Sequence, residues 1–138
     1  MSGKRMAIVT PVYNRADELP ALFRSLKSQT CQDFVWYVVD DGSTDESWEV
    51  IKFIRASATF PVIAFRKENG GKHTAVNLAM RHVEEPLTFL VDSDDELPTD
   101  SVKVILDSFD EIENPSGLCG ISFLKDMENA SHETIFPE

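Results

Sequence analysis

Five aspartates in two short runs are the side chains of this chain most suited to chemistry: Asp40-Asp41, within Val39-Asp40-Asp41-Gly42-Ser43, and Asp92-Ser93-Asp94-Asp95. Carboxylates gathered in one place repel one another unless something offsets the charge. A hard divalent cation does so, since Mg²⁺ or Mn²⁺ takes carboxylate oxygens and keeps positions open for water and phosphate oxygens. An Asp-x-Asp pair on a tight turn directs two carboxylates toward one such ion. Taken singly, each run is a weak signal. Asp-x-Asp recurs by chance, and a strand-end Asp more often caps a helix or forms a turn than binds a ligand. Asp95 and Glu96 read equally well as the acidic start of the next helix.

The runs gain meaning only if the elements around them bring them together. Short apolar, β-rich stretches predict strands at Met6–Thr10, Phe34–Val39, Val62–Phe65 and Leu87–Val91, with a further one at Cys119–Leu124. Between them lie helical patterns. Leu19, Leu22, Phe23 and Leu26 form one apolar stripe; Trp48, Ile51 and Ile54 a second, opened by a Ser43/Glu46 capping box. Ala75, Leu78, Ala79 and His82 form a third; Val102, Ile105, Leu106 and Phe109 a fourth. From Lys125 the pattern dissolves into polar residues.

Strand and helix in alternation predict right-handed crossovers and an α/β fold with a mostly parallel, Rossmann-like sheet flanked by helices. Such sheets bind ligands outside the carboxyl ends of the strands, where strand order reverses. If the first strand is central, with the second and fourth beside it, three loops converge on one crevice. These are Thr10-Pro11-Val12-Tyr13-Asn14, Asp40-Asp41-Gly42-Ser43 and Asp92-Ser93-Asp94-Asp95.

A length of 138 residues with 42% hydrophobic content suits one core, hence a single domain over 1–138. The net charge of −11 argues against bare binding to nucleic acid or anionic lipid, both polyanions. No stretch approaches the length of a membrane helix and the first residues lack a signal-peptide core, so the expectation is a soluble, cytoplasmic protein. Cys31 and Cys119 stand apart, outside metal-ligand pairs, and are expected as free thiols.

With these loops in view, the chain resembles the inverting GT-A glycosyltransferases of family 2. Thr10-Pro11-Val12-Tyr13-Asn14-Arg15, Val38-Val39-Asp40-Asp41-Gly42-Ser43-Thr44-Asp45, Asn69-Gly70-Gly71 and Asp92-Ser93-Asp94-Asp95 match in order and spacing over residues 6 to about 124. The resemblance implies a GT-A domain that transfers a sugar from a nucleotide-sugar, UDP-linked, to a saccharide or lipid-linked acceptor hydroxyl, with inversion and with Mn²⁺ or Mg²⁺. It implies that Pro11 and Tyr13 flank a uracil, that Asp41 accepts a hydrogen bond from the base, and that Asp40 supports the turn. An acceptor carboxylate favours uracil N3–H over cytosine, whose N3 is itself an acceptor. Asp92 is implied at the ribose or the metal shell, and Asp94 on the metal.

The chain departs from the family where many members carry Ala-Arg-Asn, for here the run is Ala75-Val76-Asn77. Lys72 is placed to take over a base or phosphate contact, or stands solvated; His73 is a weaker candidate. The family supplies its catalytic base and acceptor site from a segment well after the Asp-x-Asp. No base is assigned, and the chain is read as the donor-binding part of a longer transferase that meets the membrane only peripherally, through its acceptor or that further part.

Three other readings compete. A haloacid dehalogenase-type phosphatase also has an apolar strand ending in Asp-x-Asp, but near the start of the chain. A receiver domain needs paired acids after the first strand and an Asp after the third, where this chain has Thr-Pro and Asn-Gly-Gly. A non-catalytic nucleotide-sugar-binding module shares the same site residues.

Overall fold

A computed structural model of the chain describes residues 3–112 and the backbone of residues 118–123 and 133–137. Contacts divide the chain into two compact units, Met1–Lys103 and Val104–Glu138.

In the first unit, β1 (Met6–Val12), β2 (Phe34–Asp40), β3 (Val62–Arg66) and β4 (Leu87–Leu90) alternate with α1 (Leu19–Lys27), α2 (Ser47–Ser57) and α3 (Lys72–Met80). The strands form one parallel sheet in the order β3-β2-β1-β4. The first strand is therefore internal, between the second and the fourth, as the convergence of the three loops requires.

Parallel sheets covered on both faces need strands without polar alternation, and every residue of β2 is buried. Its pleat sends Val35, Tyr37 and Val39 into a cluster with Ala7, Val9, Ala75 and Ala79, so α3 covers that face. Phe34 and Trp36 alternate with these residues; Trp36 stacks on Phe23 of α1, and both Phe34 and Trp36 lie against Phe60. Trp36 Nε1 donates to Thr10 Oγ1 at 2.9 Å, which satisfies two polar groups inside the core. The α1 stripe of Leu19, Leu22, Phe23 and Leu26 is wholly buried.

Two expected stripes are corrected. His82 lies beyond the end of α3 and is exposed, its ring against Phe65 with centroids 4.6 Å apart. The helix stops before its stripe reaches that position. Trp48 is only half-buried, and Arg66 sits over its ring at 5.7 Å.

At the end of the sheet opposite the candidate site, Tyr37 Oη donates to Glu85 Oε1 at 2.7 Å, with both residues buried. Burial first, then the bond to Glu85 and its charge, push the Tyr37 phenol from 10.0 up to about 12. The fold thus favours the neutral phenol. Its contribution to stability is intact below the unfolded phenol's value and is lost as pH rises through about 12. Tyr37→Phe is expected to cost about 1.5 to 3 kcal/mol at neutral pH and to flatten the loss of stability above pH 10. Urea unfolding at neutral and alkaline pH checks this, and an unchanged alkaline slope would contradict it.

The second unit takes in the rest of α4 (Ser101–Asp110) and a two-stranded antiparallel sheet of β5 (Leu118–Phe123) and β6 (Glu133–Pro137). The expected fifth strand is present, but it pairs antiparallel with a partner that the polar composition after Lys125 concealed. The side chain of Cys119 lies outside the described residues; Cys31 is a free thiol.

Candidate donor-binding site

The carboxyl ends of β1, β2 and β4 enclose a cleft of about 310 Å³. Its lining residues are Pro11, Val12, Tyr13, Arg15, Asp41, Lys72, Asp92, Ser93 and Asp94. Of the sequence-derived candidates, Pro11, Tyr13, Asp41, Lys72, Asp92 and Asp94 meet there. Asp40 does not.

The first two loops are tied together by Asn14. It adopts a left-handed φ of 52°, a region Asn tolerates better than most residues. Its Oδ1 accepts from Thr44 N at 2.8 Å and Asp45 N at 3.2 Å, and its own amide donates to Ser43 Oγ at 2.9 Å. The Arg15 amide donates to Ser47 Oγ at 2.8 Å. These bonds explain why the expected Ser43/Glu46 capping box does not form. Ser43 Oγ is taken by the first loop, and α2 starts at Ser47 with no side-chain cap from Glu46. Asp45 Oδ1 instead accepts from the Ser47 amide at 2.8 Å.

Asp40 closes β2 with no exposure to solvent. Its Oδ1 accepts from the Ser43 amide at 3.2 Å, and its Oδ2 lies 3.4 Å from Arg66 Nε but receives no hydrogen bond. It supports the turn from beneath, and a crevice holding all five carboxylates is thereby corrected. The physical reason is the pleat: neighbouring residues at a strand end point to opposite sides.

Asp41 is also buried, at 3% exposure, yet it faces a ring of donors. Oδ1 accepts from Lys67 Nζ at 2.8 Å and the Gly70 amide at 3.0 Å. Oδ2 accepts from the Gly71 amide at 2.9 Å and Asn69 Nδ2 at 3.3 Å. Burial pushes this carboxyl upward, but the Lys67 bond and the two glycine amides together outweigh it and hold the group below the ordinary aspartate range. The close approach of the two loops depends on Gly42, with φ of 73°, where an added Cβ would stand 2.5 Å from Asn69 N. Lys67 was not singled out from the sequence, and Asn69 entered only as part of the Asn69-Gly70-Gly71 motif, without a role. Their bonds to Asp41 span 26 and 28 residues and leave no local pattern.

On the far side, Asp92, Asp94 and Asp95 each offer an oxygen within 4.8 Å of the others, two of the residues exposed and Asp95 half-buried. Three carboxylates gathered at this spacing are the oxygen donors that a hard divalent cation takes, and they would be the residues to hold one. The donor set and its solvent access fit the implied metal. Asp95, which the sequence left divided between turn and ligand, closes the turn by donating its amide to Asp92 O at 3.1 Å, and its carboxylate lies within reach of those of Asp92 and Asp94. Lys72 Nζ meets Asp92 Oδ1 at 2.6 Å, an exposed pair of little energetic weight. Lysines therefore already offset part of the carboxylate repulsion, Lys67 at Asp41 and Lys72 at Asp92. His73 is exposed and outside the cleft lining, and Glu96 is exposed.

The segment after the acidic turn is held from α1 and the turn that follows it. Gln29, buried, donates from Nε2 to Pro98 O at 2.7 Å and accepts at Oε1 from the Val102 amide at 3.0 Å. Ser25 Oγ accepts from the Leu97 amide at 3.1 Å.

The parallel sheet and its flanking helices have the GT-A glycosyltransferase fold. The chain belongs to glycosyl transferase family 2, a family of enzymes, whose sequence profile matches residues 7–134. It is 33% identical over 118 residues to the teichoic acid poly(glycerol phosphate) polymerase of Staphylococcus epidermidis, a match covering 83% of this chain and 16% of that protein. It is 28% identical to the undecaprenyl-phosphate 4-deoxy-4-formamido-L-arabinose transferase of Klebsiella pneumoniae, covering 78% of this chain and 34% of that protein. Among solved structures, S. aureus TarS 1-349 in complex with UDP-GlcNAc superposes with a TM-score of 0.72 at 27% identity, over 78% of this chain and 31% of the other. The mannosyltransferase PcManGT from Pyrobaculum calidifontis, in complex with GDP-Man and Mn²⁺, shares the fold with a TM-score of 0.75 at 22% identity, over 88% of this chain and 36% of the other. The chain thus spans about a third or less of the length of these proteins. No helix among the described residues is long and apolar enough to cross a membrane.

Proposed function

We propose that this chain binds the nucleotide-sugar donor, UDP-linked, of a metal-assisted inverting glycosyltransferase. The observation that carries the reading is the meeting of Pro11, Tyr13, Asp41 and the Asp92–Asp94 turn on one cleft at the carboxyl ends of three parallel strands. The complexes of TarS with UDP and with UDP-GlcNAc, at 26% and 27% identity, support a uridine donor.

In this reading the uracil lies between Pro11 and the half-exposed ring of Tyr13, and Asp41 accepts from its N3–H. The four bonds to Asp41 fill its usual acceptor positions, so the base displaces one of them. The Asn69 bond yields at least cost, being the longest, and Asn69 keeps a second bond to Asp41 O at 3.0 Å. Asp40 acts only by shaping the turn. Asp92 meets the ribose or the metal shell, and Asp94, with Asp95 beside it, holds Mn²⁺ or Mg²⁺. A cation bound there stabilises negative charge on the departing diphosphate. Lys72 and Arg15 bring positive charge to the same cleft. Inversion follows from attack by an acceptor hydroxyl, saccharide or lipid-linked, on the face opposite the nucleotide. We assign no catalytic base.

UDP is expected to bind much more tightly with Mn²⁺ or Mg²⁺ than with chelator. Calorimetry in the two conditions tests this, and equal affinities would remove the metal from the proposal.

A further inference from the structure

We infer that Lys67 is a positioning residue of the donor site, one that fixes Asp41 and the Gly70-Gly71 loop in the geometry that reads the nucleobase. The inference rests on the donor-site reading above and adds to it a residue outside the cleft lining.

Lys67 follows β3 directly, and its ammonium has three short contacts. It donates to Asp41 Oδ1 at 2.8 Å, to Glu68 O at 2.6 Å and to Thr74 Oγ1 at 2.8 Å. An ammonium has three donors, so all are committed. Its side chain is 20% exposed and that of Asp41 5%, which places the pair well out of bulk solvent. Thr74 relays the contact, since its Oγ1 donates in turn to Gly71 O at 2.7 Å. The Gly70 and Gly71 amides return to the two oxygens of Asp41. A closed circuit results, from Lys67 through Thr74 to the loop, and from the loop through Asp41 back to Lys67.

Asp41 has no other cation in contact with it among the described residues; Lys72 turns to Asp92 and Arg66 to Asp40. A carboxylate so little exposed keeps its charge and its aim through its partners. Loss of the ammonium leaves Asp41 held by the loop amides and Asn69 alone, with Glu68 O and Thr74 Oγ1 no longer joined to it. The expected result is blurred base recognition, while the Asp92–Asp94 turn on the other side of the cleft keeps its geometry.

The test compares the parent chain with Lys67→Met and with Thr74→Val, which cuts the circuit at the relay. UDP and CDP binding are measured by calorimetry with Mn²⁺ and with chelator, and amide exchange is followed at Gly70 and Gly71. Lys67→Met is expected to weaken UDP binding roughly tenfold, to shrink the preference for UDP over CDP, and to leave the Mn²⁺ enhancement in place. Exchange at Gly70 and Gly71 is expected to quicken while that of β1 and β2 amides holds. Thr74→Val is expected to shift each readout in the same direction by less. Equal weakening of UDP and CDP, or unchanged exchange at the two glycines, would overturn the positioning role. If the parent chain itself binds no UDP with Mn²⁺, the donor reading fails, and glycine exchange alone decides whether Lys67 anchors the loop. Should Lys67→Met not fold, the same readouts on Thr74→Val decide, and no change in them overturns the inference.

Discussion

Asp94→Ala is expected to reduce UDP affinity in the presence of Mn²⁺ to the level measured with chelator. The residue is exposed on the turn after β4, and its carboxylate is one of three whose oxygens lie within 4.8 Å of one another. An ion held by so few protein ligands loses its place when one is removed, because Mg²⁺ and Mn²⁺ are held against water by carboxylate charge. The fold is expected to tolerate the change. Asp94 covers no core, and removing one of several crowded like charges relieves repulsion. The two arms of the experiment are calorimetry of UDP with and without Mn²⁺ and thermal unfolding. A variant that unfolds, or that still shows the parent's metal enhancement, would mean that the carboxylate is structural.

The second large effect is expected at Asp41, where binding and stability fall together. Asp41→Ala removes the acceptor proposed for the base, a charged hydrogen bond worth about 1.5 to 3 kcal/mol, or roughly ten- to a hundredfold in UDP affinity. It also leaves the Gly70 and Gly71 amides, Asn69 and Lys67 without the carboxylate they share. The Gly70 end of that loop is exposed, so water takes over part of the bonding, and the expected stability cost is about 1 to 3 kcal/mol. The combination separates this position from Asp94, where binding falls alone. Selectivity for UDP over CDP, measured beside urea unfolding, is the check. Unchanged selectivity in a folded variant would count against base reading by Asp41, and an unchanged unfolding midpoint would count against the loop anchoring.

The two carboxylates thus differ in a way that their environments dictate. Asp94 is open to solvent and has like charges for neighbours. Asp41 is enclosed and saturated with donors, so that it shapes the loop around it. Spacing alone assigns both to the same acidic crevice.

Much of the architecture was legible in the sequence, because the signals are local. Unbroken apolar runs such as Phe34–Val39 can sit only in a sheet covered on both faces, and the 3.6-residue stripe of α1 matches its buried side without exception. Alternation of the two patterns dictates parallel crossovers, and the loops that end the strands carry the Pro-Val-Tyr, Asp-Asp-Gly and Asp-Ser-Asp runs to one edge. What the sequence could not decide were the contacts between residues far apart along the chain. The order β3-β2-β1-β4 makes the β1 and β2 loops neighbours, and only then does Asn14 find Thr44 and Asp45, taking Ser43 from its expected helix cap. The pleat at the end of β2 separates Asp40 from Asp41, and a bond across 26 residues selects Lys67, rather than the adjacent Arg66 or the loop's own Lys72, as the cation beside Asp41. Helix stripes and strand runs follow from the periodicity of a single element, whereas hydrogen-bond partners are chosen by which elements become neighbours. That choice belongs to the packed sheet, since no one segment holds both halves of the bond.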